Sequence, residues 1–231
     1  MCEPKALDDW FPASFHQTYE LMQRLSDDDR VLLARRRDDG ALFVARVANV
    51  TEAERLRTEA AILKTLRHPA LPAFEACFET DSHYIALHEY IPGVPLSAYA
   101  GRNTSPDRAV RIGLSICDIL IYLQSLTPPV IHRDIKPQNV IVKPDGSIAL
   151  VDFDIARRYD PKESKDTTPI GTRGFAPPEQ YGYAQTDARA DVYALGMLLI
   201  WLMTGETKRA QGLPQIVSPL LRRVLSKCVA F

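Results

Sequence analysis

The sequence predicts an α+β fold in two lobes. A small antiparallel β lobe with one helix is expected over about residues 15–90, and a larger, mostly helical lobe over about 91–231. Three observations carry that prediction. The first third of the chain consists of short aliphatic and β-branched runs separated by turn residues, as strands joined by hairpins do. From residue 190 the stretch ADVYALGMLLIWLMTG is apolar almost all round, the mark of a helix buried in a core. Between these regions two short apolar runs, Val130-Ile131 and Ala149 to Val151, each end on polar side chains.

The elements follow in order. YELMQRLS, RVLLARRR and ALFVARV read as three strands, with Asp39-Gly40 as a strong hairpin signal between the second and third. The basic run ARRR at 34–37 reads as a solvated strand edge. Thr51 with Glu54 three residues on predicts a capping box, opening a helix whose Leu56, Ala60, Leu63 and Leu66 form one stripe. Pro69 disfavours helix at His68 and stops it. AFEACFE and HYIALHEYI read as two further strands, closed by the turn PGVP. Ser105 as a cap and Pro106 at the first helical position start the next helix, with Val110, Leu114, Cys117, Leu120 and Ile121 expected on one face. TPP at 127–129 ends it. The turn KPDG joins the two polar-tipped runs, and residues 160–180 read as a loop rich in Pro, Thr, Gly and charge. Gly205 ends the apolar helix. The last segment opens on Ser218-Pro219 and repeats apolar residues at 220, 221, 224, 225 and 228. It stops in mid-pattern, so the second lobe is expected to be incomplete.

Composition narrows the function classes. With 231 residues, 46% hydrophobic and 25% charged, the chain has material for a full core and is neither disordered nor fibrous. Lys and Arg total 28 against 29 for Asp and Glu, which argues against a dedicated nucleic-acid binder. Four scattered cysteines show no CxxC spacing, so a cysteine metal site is not expected and a reducing compartment is. No apolar run reaches the ~18 residues of a membrane span. A cytoplasmic chain is the expectation.

The chemistry sits in VIHRDIKPQN, residues 130–139, and in VDFDIAR, which begins at Val151. A turn holding Asp134, Lys136 and Asn139 together, facing Asp152, supplies what phosphoryl transfer needs. That is a carboxylate to orient a hydroxyl, a cation near the transferred group, and two hard oxygen ligands for Mg²⁺.

H-R-D-x-K-P-x-N followed by D-F resembles the catalytic signature of protein kinases, and the combination looks most like bacterial Hanks-type serine/threonine kinases. EAAILKTLRHP resembles the regulatory-helix segment, which makes Glu59 the acidic partner of the strand-three lysine position. HEYIPGVPL resembles the hinge, with Glu89 and Ile91 offering backbone groups to adenine and His88 as gatekeeper. GTRGFAPPEQ resembles the end of the activation segment and contains Glu179, while DARADVYALG resembles the buried helix with its structural Asp191. The resemblance implies ATP and Mg²⁺ as cofactors and a protein substrate with a Ser/Thr acceptor, with self-phosphorylation as a further expectation. Asp134 and Lys136 are then catalytic, and Asn139 and Asp152 hold metal. His132 is read as structural and Arg133 as the receptor for an activation-loop phosphate. Thr167 and Thr168 are candidate phosphosites, and Thr172 resembles the threonine that bridges Asp134 and Lys136. Small-molecule phosphotransferases of the aminoglycoside type share HxD and the later Asp, but usually lack KP here and lack the GT–PPE segment.

Four departures from the family pattern stand out. The loop that would cover the nucleotide carries Arg24, Ser26 and Asp29 where glycines are expected, and Asp27, Asp28 and Asp29 would repel phosphates unless turned to solvent. Arg46 falls at the strand-three lysine; its guanidinium keeps the charge but not the shape. Asp154 replaces the glycine after Asp152-Phe153. The chain also ends before the arginine that would neutralise Glu179. Two readings follow: a divergent serine/threonine kinase, which the retained catalytic groups favour, or a pseudokinase acting as a nucleotide-binding or protein-interaction scaffold.

Overall fold

The computed structural model of the chain describes residues 9–27, 29–99, 104–161, 172–181 and 185–230. It divides into two compact units, one of Met1–Arg67 with Pro72–Ile91 and one of His68–Leu71 with Pro92–Phe231.

The first unit is built on a five-stranded antiparallel sheet in the order β1-β2-β3-β5-β4. Its strands are β1 (Tyr19–Arg24), β2 (Val31–Arg36), β3 (Leu42–Asn49), β4 (Phe74–Glu79) and β5 (His83–Glu89). The β2–β3 hairpin closes where expected. Gly40 takes φ +73°, a left-handed conformation that costs glycine nothing, and Arg36 N–H bonds to Ala41 O at 2.8 Å. The basic run at 34–37 is not a bare solvated edge. Ala34 is fully buried, Arg36 pairs with Asp39 and Glu75 at 2.6 Å each, and Arg35 pairs with Glu20.

A short helix, α1 (Ala13–Thr18), precedes the sheet and was not legible as a helix in the sequence. It brings Phe15 into an aromatic cluster with Phe11, Tyr19, Phe43 and Phe78, which covers one face of the sheet. Trp10 stacks on His83 with ring centroids 4.8 Å apart. Helix α2 (Glu54–Leu63) places Leu56 and Ala60 against Tyr84 and Ala86 of β5. The expected capping box does not form. Thr51 lies in a 3₁₀ turn over Val50–Glu52, and Ala53 is the N-cap with no side-chain hydrogen bond. That turn uses the residues a capping box would need; at the other end Leu66 falls beyond the helix, though it remains buried.

The second unit is mostly helical. After β6 (Val94–Pro95) and the single turn α3 (Leu96–Tyr99) comes the long helix α4 (Pro106–Ser125). Short strands β7 (Val130–Ile131), β8 (Val140–Val142), β9 (Ile148–Leu150) and β10 (Arg157–Arg158) form two small sheets, β6-β8-β9 and β10-β7. Helices α5 (Ala188–Thr204), α6 (Arg209–Gly212) and α7 (Pro219–Cys228) complete the unit. As its composition predicts, α5 is buried along most of its length, and it ends on Gly205 at φ +76°. No helix among the described residues is long and apolar enough to cross a membrane.

Two helix faces differ from expectation. Helix α4 buries Ala109, Ile112, Gly113, Ile116, Ile119, Leu120 and Leu123, while Val110, Leu114 and Ile121 are exposed. The helix carries two apolar stripes, and the one with Gly113 faces α5. A Cβ at Gly113 would come within 3.0 Å of the Leu199 side chain, which would have to shift to admit it. Ser105 is the N-cap residue but makes no side-chain capping bond. In α7, Ser218 does cap, accepting from Leu221 N–H, yet Leu225 alone is fully buried while Leu220 and Val224 are exposed.

Candidate active site

The second unit builds its site from the loop after β7. Two features fix that loop. Asp191, one turn into α5 and 1% exposed, accepts backbone N–H bonds from His132 and Arg133 at 2.8 Å each. From the other side, Gln180 Nε2 donates to Arg133 O at 2.8 Å. Arg133 is thereby held at φ +68°, and Asp152, after β9, at φ +69°. Left-handed backbone at a non-glycine residue costs of order 1–3 kcal/mol and persists where surrounding contacts overdetermine it. For Arg133 the overdetermining contacts are the buried bonds of Asp191 and Gln180. Burial raises the carboxyl of Asp191 above its ordinary value, against the lowering effect of its donors. Burial likewise lowers the imidazole of His132. His132 reaches Val151 O through Nε2 at 3.2 Å and packs edge-on against Phe153, whose centroid is 4.6 Å away. It is a structural residue, as its sequence context suggested.

Past Arg133 the loop converges on one carboxylate. Asp134 Oδ2 accepts from Lys136 Nζ at 2.6 Å and from Asn139 Nδ2 at 2.9 Å, and Asp134 Oδ1 accepts from Thr172 Oγ1 at 2.7 Å. Lys136 Nζ also lies 3.3 Å from Thr172 Oγ1. The expected bridge from Thr172 to Asp134 and Lys136 is therefore present. Asn139 Nδ2 makes a second bond, to Asp134 O at 2.9 Å, which turns the oxygen end of the amide away from this group. Backbone pairing of Val151 N–H with Asn139 O at 2.9 Å sets Asp152 one residue beyond the position bonded to the Asn139 main chain. Asn139 and Asp152 thus flank one backbone pairing. Among the described residues no cluster of three His, Cys, Asp or Glu could hold a metal on its own. The donor set fits Mg²⁺, which keeps several waters or phosphate oxygens and needs only one or two protein ligands.

Arg133 is 7% exposed, which excludes a solvated loop charge. Arg157 and Arg158 of β10 pair in register with Ile131 and Val130, so two further guanidinium-bearing residues sit beside the strand that leads into the loop. Glu179 lies in the 3₁₀ turn Pro178–Tyr181. Arg189 is held chiefly by Asp187 at 2.8 Å, with Glu179 adding to its electrostatic surroundings. Thr167, Thr168 and Asp28 lie outside the described residues. Gln180 was missed in the sequence; its only signal was a polar residue directly after PPE.

Arg46, Glu59, Glu89 and Ile91 belong to the first unit. Arg46 on β3 pairs with the buried carboxylate of Glu59 on α2, Nη1 to Oε1 at 2.9 Å, as the sequence pairing anticipated. Glu89 N–H donates to Ala73 O at 2.8 Å, and its carbonyl lies 3.1 Å from His88 Nδ1. In the loop between β1 and β2, Asp29 adopts φ +60° where the family places glycine. Its carboxylate pairs with Arg24 at 2.6 Å, so of the three charges expected to repel phosphate that of Asp29 is met within the loop.

Comparison with known proteins gives the family of the chain. The chain is 34% identical over 162 residues to a probable serine/threonine-protein kinase of Streptomyces coelicolor, covering 65% of this chain and 23% of that protein. It is 32% identical over 202 residues to serine/threonine-protein kinase C of Synechocystis, covering 77% and 37%. It is 35% identical over 162 residues to serine/threonine-protein kinase PknB of Mycolicibacterium smegmatis, covering 66% and 25%. The chain thus spans between about a quarter and somewhat over a third of the length of these curated relatives. Residues 29–217 match the protein kinase domain, with the loop of Asp134 and the carboxylate of Asp152 inside the match, and the chain belongs to that family.

Proposed function

We propose that the chain is the catalytic part of a serine/threonine protein kinase, transferring the γ-phosphoryl group of ATP to a protein hydroxyl with Mg²⁺. The observation that carries this reading is the Asp134 carboxylate, aimed by Thr172, Lys136 and Asn139. Three donors occupy part of its acceptor capacity and leave room for one more, the hydroxyl of the substrate. As the oxygen of that hydroxyl bonds to phosphorus, its proton passes to Asp134 and ADP departs. Lys136 sets a positive charge within 2.6 Å of the carboxylate, where charge on the transferred group can be offset. Asn139 and Asp152 would hold the cation. A bound Mg²⁺ would supply positive charge against the charge that develops on the transferred group. Arg46 holds Glu59, and with it α2, against β3. Self-phosphorylation and action in the cytoplasm are parts of the same proposal.

The test is incubation with Mg²⁺ and labelled ATP, reading transfer to a generic basic protein and to the chain itself. Asp134→Asn should lower turnover at least ~10²-fold with little change in nucleotide binding. Equal turnover in that variant would remove Asp134 from the chemistry. ATP binding without transfer in the folded wild type would favour a scaffold.

A further inference from the structure

The second unit holds a cavity of about 410 Å³ that shares no lining residue with the Asp134 site. One wall is the start of α4, with Arg108 and Arg111; the other is the β8–β9 hairpin, with Val142 and Ile148. Ile112 of α4 and Gly146 of the hairpin turn also line it. Arg108 is held with its guanidinium 4.5 Å from the Tyr99 ring centroid. Among the described residues neither arginine pairs with a carboxylate, in contrast to Arg24, Arg35, Arg36, Arg37, Arg46, Arg57 and Arg189. The nearby Asp145 is occupied by Ser147, through its N–H at 2.9 Å and its hydroxyl at 2.7 Å. Asp107, exposed on α4, is the one other carboxylate adjacent in sequence to the lining. The Ser105 hydroxyl on the rim is not spent on capping the helix.

We propose that this cavity docks an extended acidic segment of a protein partner, outside the site of phosphoryl transfer. Arg108 and Arg111 stand three apart on a helix, so they share a face at a spacing of about 5–6 Å between Cβ atoms. An extended peptide repeats its side-chain direction every second residue, roughly 6.6–6.8 Å. Carboxylates at alternate positions therefore meet the two guanidiniums, and the intervening side chains meet the aliphatic hairpin wall. The volume falls in the range of roughly 300–1,000 Å³ typical of ligand sites. Charge complementarity selects an acidic occupant and the hairpin wall selects aliphatic neighbours.

The probe is a fluorescein-labelled peptide of alternating Glu and Leu, read by anisotropy at low salt without nucleotide. This makes the outcome independent of whether the chain transfers phosphate. It should bind roughly tenfold more tightly than its Gln-for-Glu counterpart, and the Lys-for-Glu peptide should bind more weakly still. Arg108→Ala with Arg111→Ala should remove that advantage while circular dichroism and melting temperature stay unchanged. Both side chains are exposed, and alanine suits a helix. Binding of the Gln peptide as tight as that of the Glu peptide, or full binding by the double variant, overturns the proposal. Self-association that blocks the peptide and is lost in the double variant would overturn it in favour of a second copy as occupant.

Discussion

At the scale of single residues, His132 and Asp191 show how burial sets the working loop. The imidazole of His132 is fully enclosed, and burial holds it below its ordinary value against the raising pull of Asp191, Asp134 and Asp152. The folded chain therefore takes up this proton at lower pH than the unfolded chain, where the imidazole titrates near its ordinary value of about 6.5. A depressed folded value means that its contribution to stability is present above that pH and is lost on acidification. His132→Phe keeps a ring against Phe153 and removes the titration. Wild type should lose melting temperature more steeply than His132→Phe between about pH 8 and pH 5.5; parallel curves would exclude His132 as the cause. His83, lowered in the same direction by burial, and Asp191, raised and so of opposite sign, remain in both proteins.

At the scale of elements, α5 is the post against which α4 and α7 pack, and two glycines mark the crossings. At Gly196 an added Cβ would come within 2.8 Å of both Cys228 Cβ and Val229 Cγ1. Gly196→Ala should destabilise by about 1–3 kcal/mol, the ordinary cost of overpacking, despite alanine's better helix propensity. Gly40→Ala is the contrast, since nothing lies within 4 Å and only the positive φ is penalised. Urea unfolding of both variants measures the difference. These crossings also explain what could be read from the sequence. The strands and α5 were legible because alternation and all-round apolarity are local patterns. The loop of Asp134, Lys136, Asn139 and Asp152 was legible because its groups are close in sequence. The buried face of α4 was not, because two apolar stripes compete and contact between Gly113 and Leu199 decides between them. Helix α1 is too short to show a stripe, and Gln180 acquires its role only through Arg133, 47 residues away in the chain.

At the scale of the whole molecule, nucleotide and cation should be visible as stability. At ligand a hundredfold above its dissociation constant the folded state gains about 2.7 kcal/mol, roughly 5–10 °C for a chain of this length. ATP with Mg²⁺ should raise the melting temperature by that order, and ATP with EDTA by less. In Asp152→Asn the two shifts should converge, because asparagine tolerates the same positive φ but lacks the charge. Equal shifts with and without Mg²⁺ in the wild type would remove Asn139 and Asp152 from metal binding. The chain has two tryptophans, and they fall one to each unit, Trp10 in the first and Trp201 in the second. The stack of Trp10 on His83 has a spectroscopic consequence. An imidazole quenches indole emission more strongly once it is protonated, so the first unit carries a pH-sensitive emitter in Trp10, while the emitter of the second unit lies on α5. Replacing either tryptophan by phenylalanine leaves a protein whose fluorescence reports on one unit alone.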